Sequence, residues 1–303
     1  MKVGFIGLGA MGLPMAKNVI KSGHELFTLM HRRREPVEEL RLLGAKICQT
    51  AAETARMSEV VITVLPADAE LRKVIFGTQG LAEGFSTGKV LIDMTTATPF
   101  VLQEAEKELA PKGVRILDAP VSGGTTGAAE GTLTIMAGGE KDLLEEYRPL
   151  LTCMARNIFH VGGVGQGKVV KIVNQLMAAV HVLVIGEAFA LGVRSGSTPG
   201  VLNEVIKTSS GYSRMMDLRL AGFILDGTFE PGFKLNLMKK DLNLALELGQ
   251  RLGIPLLLGS LAGQVMAAAS ASGGGEKDFS VAAQFLADLA QTKLSGFGQP
   301  KTA

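Results

Sequence analysis

Residues 2–12 read KVGFIGLGAMG, an apolar run that ends in the pattern Gly-x-Gly-x-x-Gly. The run Lys2–Ile6 predicts a buried β-strand, and the glycines that follow predict a tight turn into a helix. In a βαβ unit, such a turn brings backbone N–H groups and the helix N-terminus close to a dinucleotide pyrophosphate, because no Cβ stands in the way. We therefore predict a nucleotide-binding turn made of Gly7, Leu8, Gly9, Ala10, Met11 and Gly12.

The rest of the first half continues this alternation of short apolar runs and helical patterns. Beyond Lys2–Ile6, the strand-like runs are Glu25–Leu29, Val60–Leu65, Val90–Asp93, Arg115–Asp118, Thr132–Ala137 and Ile158–Val161. Strands that alternate with helices pair in parallel and are covered on both faces. The pattern therefore predicts an α/β fold with a Rossmann-type, doubly wound, mainly parallel sheet.

From Gly165 onward the strand patterns stop and helical patterns take over. The predicted helices cover Gly167–Gly192, Pro199–Ser209, Lys240–Leu252 and Ile254–Ser270. We therefore predict a Rossmann-like dinucleotide-binding domain in residues 1–163 and an all-helical domain for substrate and oligomerisation in residues 164–291. Residues 292–303 are polar and without periodicity, so a loose tail is expected.

The end of the second predicted strand bears on the choice of cofactor. An NAD site usually has an acidic residue about 20 residues after the glycines, where it binds the ribose 2′-hydroxyl. Here the sequence reads Met30-His31-Arg32-Arg33-Arg34 instead. Guanidinium groups favour a 2′-phosphate, so His31, Arg32 and Arg33 are predicted to bind NADP(H), with NAD(H) as the alternative cofactor. The competing interpretation is a solvated basic turn.

Charge and composition argue against several classes of partner. The 303 residues carry 31 Lys plus Arg against 29 Asp plus Glu, a net charge of +2, so nucleic acid is not expected as a ligand. The two cysteines, Cys48 and Cys153, lie far apart without metal-ligand spacing. Neither a disulfide framework nor a metal site is predicted.

Two apolar stretches, Ile172–Val193 and Leu252–Gly275, are long enough to be mistaken for membrane spans. We interpret them as helices packed against a second domain and another subunit, which predicts a homodimer or homotetramer and no membrane partner. No export signal is visible at the N-terminus, so a cytoplasmic location is expected.

Polar residues that could take part in a reaction cluster near the predicted domain boundary. Lys171 and Asn174 are three residues apart on a predicted helix, so a cation and an amide share a face, and Gly167 one turn earlier leaves room for a ligand. Ser122-Gly123-Gly124 offers a hydroxyl and open backbone N–H groups, which suit a carboxylate or an alkoxide.

Five motifs occur in order along nearly the whole chain, from Val3 to about Leu289. They are the turn Gly4–Gly12, Asp93-Met94-Thr95-Thr96 with Pro99, Asp118–Gly124, Gly165-Gln166-Gly167 with Lys171 and Asn174, and Lys240-Asp241-Leu242. With these motifs the chain resembles the β-hydroxyacid dehydrogenases, a 6-phosphogluconate dehydrogenase-like family of the 3-hydroxyisobutyrate dehydrogenase and tartronate semialdehyde (2-hydroxy-3-oxopropionate) reductase type.

The resemblance implies roles for individual residues. Lys171 would donate a proton to the carbonyl oxygen as hydride arrives and take it back in oxidation, and Asn174 would orient the substrate oxygen. Asp241 is expected to hold Lys240 or the helix start, without a catalytic role. The resemblance also implies two binding sets: Leu65, Pro66, Thr96 and Lys240 for the cofactor, and Ser122, Gly123, Gly124, Lys171 and Asn174 for a small carboxylate substrate.

Together these features predict an NAD(P)-dependent oxidoreductase that interconverts a small 3-hydroxyacid and its semialdehyde or ketoacid, such as glycerate and tartronate semialdehyde, or 3-hydroxyisobutyrate. The alternatives are a glyoxylate or succinic semialdehyde reductase and a dehydrogenase of longer hydroxyacids. Lys171 argues against an imine reductase, and a catalytically silent dinucleotide-binding module is the non-enzyme alternative. Two roles stay open for Arg214: binding a second carboxylate or capping a helix.

Overall fold

The structure is a computed structural model that describes residues 1–30 and 33–295. The chain divides into two compact units, Met1–Ile172 and Val173–Ala303. The division falls inside a long helix, whereas the domain boundary predicted at residue 163 precedes that helix. Of the sequence predictions, those for His31 and Arg32 lie outside the described residues, as does the part of the predicted tail in residues 296–303.

The described part of the first unit contains one sheet of nine strands. The strands are β1 Lys2–Ile6, β2 Glu25–Leu29, β3 Lys46–Cys48, β4 Val60–Thr63, β5 Val90–Asp93, β6 Arg115–Asp118, β7 Val121–Ser122, β8 Leu133–Gly138 and β9 Ala155–Gly162. Their order is β3-β2-β1-β4-β5-β6-β8-β7, with β9 paired to β8. Strands β1 to β6 pair in parallel, and β8 runs antiparallel to β6 and β7. The predicted doubly wound, mainly parallel sheet is confirmed.

Helices connect these strands. They are α1 Gly12–Lys21, α2 Glu35–Leu42, α3 Ala51–Met57, α4 Asp68–Phe76, α5 Leu81–Gly84, α6 Phe100–Leu109, α7 Gly124–Glu130 and α8 Lys141–Leu151. Alternate strand residues belong to two apolar clusters: Phe5 packs in one with α1 and α8, and Ile6 in the other with α3, α4 and α6. Because successive side chains of a strand point to opposite faces, the sheet separates two cores.

The second unit is helical, as predicted. Helix α9, Gln166–Arg194, starts in the first unit and continues into the second, followed by α10 Pro199–Lys207, α11 Leu235–Leu252, α12 Leu257–Ala269 and α13 Val281–Leu289. Residues Met216–Leu225 and Ser270–Gly274 form π-helical segments. At the start of the predicted tail, Leu294 is fully buried.

Helix α9 is the one helix, within residues 1–30 and 33–295, that is long and apolar enough to cross a membrane by length and composition. In its most apolar window, 44% of the residues are buried inside the protein. Core helices of soluble proteins have the same length and composition, so this feature is weak evidence for a membrane span.

Candidate active site

The glycine-rich turn between β1 and α1 has the shape that its sequence predicts. Gly7 has φ of +106°, and a Cβ there would collide with the Val64 carbonyl oxygen; a Cβ on Gly12 would collide with the Gly7 carbonyl oxygen. Gly9, in contrast, has nothing within 4 Å of the position its Cβ would take. Two glycines are therefore required by the turn itself, while the third faces open space, which fits the close approach of a pyrophosphate.

One of the three arginines after β2 lies beside this turn. The Nη2 atom of Arg33 lies 3.5 Å from the carbonyl oxygen of Leu8, and the side chain is exposed. Arg34 is the N-cap residue of α2. Arg33 is thus the described arginine that stands beside the glycine turn with its guanidinium accessible.

A buried hydrogen-bond network joins the carboxyl ends of β4 and β5. The Asp93 carboxylate accepts hydrogen bonds from the hydroxyls of Thr63, at 2.5 Å, and Thr95, at 2.7 Å. The Thr95 hydroxyl also accepts a bond of 3.0 Å from the backbone N–H of Leu65. Leu65, Pro66 and Thr96 therefore sit on a fixed edge of the sheet, where doubly wound folds bind ligands.

A lysine that sequence reasoning missed completes this network. Lys168, in the first turn of α9, is fully buried, and its ammonium group forms an ion pair with Asp93 and donates a hydrogen bond of 2.8 Å to the Thr95 carbonyl. A buried charge costs little only when it is paired and its remaining hydrogen bonds are made. The pair therefore fixes the start of α9 to the ends of β4 and β5.

The backbone of the same turn is held by a second buried carboxylate. Asp118, at the end of β6, accepts hydrogen bonds from the backbone N–H groups of Gly165, at 2.9 Å, and Lys168, at 2.8 Å. Burial raises the pKa of Asp118, and these N–H donors oppose the rise. A Cβ on Gly167 would lie 2.8 Å from the Asp118 Oδ2 atom, so only glycine allows this contact.

The predicted catalytic lysine follows this anchored turn. Lys171 lies in α9 one turn after Lys168, and only 6% of its surface is exposed. The predicted carboxylate-binding residues belong to the same unit: Ser122 ends β7, and Gly123 and Gly124 lead into α7. Both glycines have positive φ, of +137° and +65°, a conformation that favours glycine.

Two other predicted site residues, Asn174 and Lys240, are brought together in the second unit. The Asn174 amide donates a bond of 3.0 Å to the Gln175 side chain, which donates one of 2.8 Å to Asp241. The other Asp241 oxygen pairs with the Lys240 ammonium at 2.9 Å. Of the two contacts expected for Asp241, the structure has the one with Lys240.

Sequence reasoning assigned no role to Lys168, Asp93, Asp118 or Gln175. The sequence carried a signal for the two aspartates, since strands β5 and β6 are mainly apolar and both end in aspartate. The signal for Lys168 was its place directly after Gly165-Gln166-Gly167, at the start of an apolar helix. Among the described residues, no group of three or more His, Cys, Asp or Glu side chains could hold a metal ion.

Comparison with known proteins identifies relatives for almost the whole length of the chain. A family model described as the NAD binding domain of 6-phosphogluconate dehydrogenase matches residues 2–162. Another, described as NAD-binding of NADP-dependent 3-hydroxyisobutyrate dehydrogenase, matches residues 165–286.

Two curated relatives cover almost the entire chain. The 2-(hydroxymethyl)glutarate dehydrogenase of Eubacterium barkeri is 38% identical over 98% of this chain and 98% of its own length. The 2-hydroxy-3-oxopropionate reductase of Escherichia coli is 34% identical over 97% of this chain and 100% of its own. Among solved structures, the 3-hydroxyisobutyrate dehydrogenase of Mycobacterium tuberculosis with L-serine matches with a TM-score of 0.87 and 32% identity, covering 94% of this chain and 98% of that one.

Proposed function

Because this chain belongs to the β-hydroxyacid dehydrogenase family, we propose that it reduces the semialdehyde or keto form of a small 3-hydroxyacid with NADPH and catalyses the reverse oxidation. The broader activity follows from the family: the protein is an NAD(P)-dependent oxidoreductase that acts on a CH–OH group with a nicotinamide dinucleotide cofactor. The proposal adds the cofactor preference, the substrate class and the residues that carry the reaction.

The buried position of Lys171, one turn beyond the anchored start of α9, supports its role as general acid and base. A bound nicotinamide supplies hydride to the carbonyl carbon in reduction and accepts it in oxidation. In reduction, the ammonium group of Lys171 gives its proton to the carbonyl oxygen, which becomes the hydroxyl; in oxidation the amine takes that proton back. Asn174 orients the same oxygen, and Ser122, Gly123 and Gly124 bind the substrate carboxylate.

The cofactor preference rests on the basic turn after β2. Arg33 is exposed beside the glycine turn, with its guanidinium within 3.5 Å of the Leu8 carbonyl oxygen. A bidentate guanidinium contact favours a 2′-phosphate over a 2′-hydroxyl. We assign the adenosine ribose to Arg33 together with His31 and Arg32, and the rest of the cofactor to the turn Gly7–Gly12, Leu65, Pro66, Thr96 and Lys240.

Steady-state rates test the proposal directly. The change in nicotinamide absorbance is followed with NADPH and NADH in parallel against glyoxylate, succinic semialdehyde and tartronate semialdehyde. In the oxidative direction it is followed with NADP⁺ and NAD⁺ in parallel against 3-hydroxyisobutyrate. The expected result is turnover of a 3-hydroxyacid pair with at least a tenfold preference for NADPH. Equal rates with NADH would overturn the cofactor assignment, and no turnover with any compound would favour the silent dinucleotide-binding module.

We also propose a cytoplasmic homodimer or homotetramer, without membrane or nucleic-acid partners. Helix α12 supports assembly because Leu257, Leu258 and Leu261 are 79%, 70% and 64% exposed, and an apolar surface of this kind is unusual on a soluble monomer. Sedimentation at micromolar concentration is expected to give a multiple of the 31.9 kDa chain mass. A monomer would contradict this assembly.

A further inference from the structure

A cavity of about 490 Å³ lies within the second unit, along one face of α9. It is lined from α9 by Asn174, Met177 and His181, and from the segment after α10 by Tyr212, Arg214 and Met215, among others. Asn174 and His181 are seven residues apart, so they share a helix face over a rise of about 10 Å. The cavity therefore begins at the residue proposed to orient the reacting oxygen and extends well beyond the length of a three-carbon acid.

The two walls of the cavity differ in their chemistry. Met177, Ile185 and Phe189 provide apolar surface from α9, whereas the facing segment contributes the charged residue Arg214. An apolar wall with one charged group suits a ligand with a short carbon chain and an anionic end.

Arg214 is available to such a group. In the part of the chain that the structure describes, no carboxylate lies within salt-bridge distance of this arginine. The nearby acid on the same segment, Asp217, accepts a hydrogen bond from the Tyr212 hydroxyl and is 3.8 Å from the ammonium group of Lys207. The carboxylate that could have neutralised Arg214 is therefore held by other donors.

The second role left open by the sequence, helix capping, is disfavoured. Arg214 stands in the first helical turn of the segment that continues as Met216–Leu225. The N-terminal end of a helix carries partial positive charge and exposed N–H groups, so a cation there is unfavourable and an anion is favourable. Capping would not select arginine at this position.

We propose that this cavity binds the substituent of the substrate and selects hydroxyacids whose side chain ends in a second carboxylate, with Arg214 as the specificity-determining residue. The inference rests on the proposed function, because Asn174 links the cavity to the reacting group. It narrows the substrate class from small 3-hydroxyacids in general to dicarboxylic ones.

A series of three substrates with one common head group tests this inference. Each compound is HOCH₂–CH(R)–COO⁻, with R as methyl, n-propyl or 2-carboxyethyl, and each is oxidised by the full-length protein with NADP⁺. The propyl and carboxyethyl groups have matching length, so their ratio isolates the contribution of the second charge. The expected kcat/KM for the carboxyethyl compound exceeds that of the propyl compound by about tenfold or more.

Arg214→Gln is expected to lower the ratio of kcat/KM for the carboxyethyl compound to that for the propyl compound to about one, while Arg214→Lys restores part of the advantage. Arg194→Gln, an exposed arginine near the end of α9 outside the cavity lining, is the matched control and is expected to change nothing. Turnover of all three compounds without a carboxyethyl advantage, or without an effect of Arg214→Gln, would overturn the inference and leave the proposed function intact. No turnover of any compound, with either cofactor, would instead overturn the proposed function.

Discussion

The first turn of α9 and its middle part differ in how much freedom their side chains have. In the first turn, Lys168 is fully buried, paired with Asp93, and held through its backbone by Asp118. Further along, Met177 and Val184 are each 54% exposed, and the helix lines a cavity. Substitutions in the first turn should therefore destabilise the fold or abolish the reaction, whereas substitutions along the cavity should change which substrate is used.

The largest effect is expected at the junction of these two regions. Lys171→Met keeps an unbranched side chain of similar size but removes the transferable proton. Loss of general acid–base catalysis typically costs 10²–10⁴-fold in rate, so kcat is expected to fall by about that factor. Stopped-flow measurement of NADPH binding provides the control, because its affinity should be nearly unchanged. A variant with kcat within tenfold of the parent would exclude Lys171 as the proton donor.

Lys168→Met tests the buried end of the comparison. The variant leaves the Asp93 carboxylate buried without its cation, which is expected to lower the free energy of unfolding by about 3–5 kcal/mol. Urea-induced unfolding measures this difference. The double variant Lys168→Met/Asp93→Asn should recover part of it, because the introduced amide is uncharged and keeps an oxygen for the hydroxyls of Thr63 and Thr95.

Arg214→Gln tests the cavity in the comparison with the buried first turn of α9. As an exposed residue in the described part of the chain, it is expected to change the free energy of unfolding by at most about 0.5 kcal/mol. If the two substitutions destabilised the protein equally, the distinction between a fixed first turn and an adaptable cavity would be wrong.

Sequence patterns predicted the order and type of most elements because hydrophobic periodicity is a local property. The sheet, α9 and the helical second half followed from it, whereas the shape of the turn Gly7–Gly12 followed from the spacing of its glycines. β3 was missed because a run of three residues, Lys46–Cys48, is too short to show a period. The π-helical segment Met216–Leu225 was missed because its apolar pattern does not differ from that of an α-helix.

The buried network could not be predicted for a different reason. Lys168 and Asp93 are 75 residues apart, and their contact depends on the order of strands in the sheet and on where α9 begins. Asp93 begins one of the five motifs and Lys168 directly follows Gly165-Gln166-Gly167, but nothing local shows that two charges will be buried together. The contribution of Arg214 depends likewise on a cavity formed by distant segments.

Gly167→Ala is expected to cost less stability than Lys168→Met and more than Arg214→Gln. The added methyl group would collide with the Met136 carbonyl oxygen and approach the Asp118 carboxylate to 2.8 Å, so the start of α9 must shift. Overpacking of this kind costs about 1–3 kcal/mol. Gly222→Ala is the matched control, since this helical glycine of the second unit has nothing within 4 Å of its Cβ position and should tolerate alanine. Thermal unfolding of both variants, with activity measured in parallel, would show whether the close fit is confined to the first turn.

The smallest effect on stability is expected at Arg33. This residue tests whether burial or position in the fold decides how the protein responds to a substitution. Arg33 belongs to the first unit and lies beside the glycine-rich turn, yet its side chain is exposed. If exposure marks residues that select ligands, Arg33→Ser should lower the ratio of kcat/KM for NADPH to that for NADH by about tenfold, with no change in thermal stability. Arg34→Ser, at the neighbouring N-cap of α2, should leave the ratio within twofold. An unchanged ratio in both variants would restrict ligand selection to the cavity of the second unit. A loss of stability in Arg33→Ser would mean that exposed as well as buried residues of the first unit cannot be substituted without destabilising the protein.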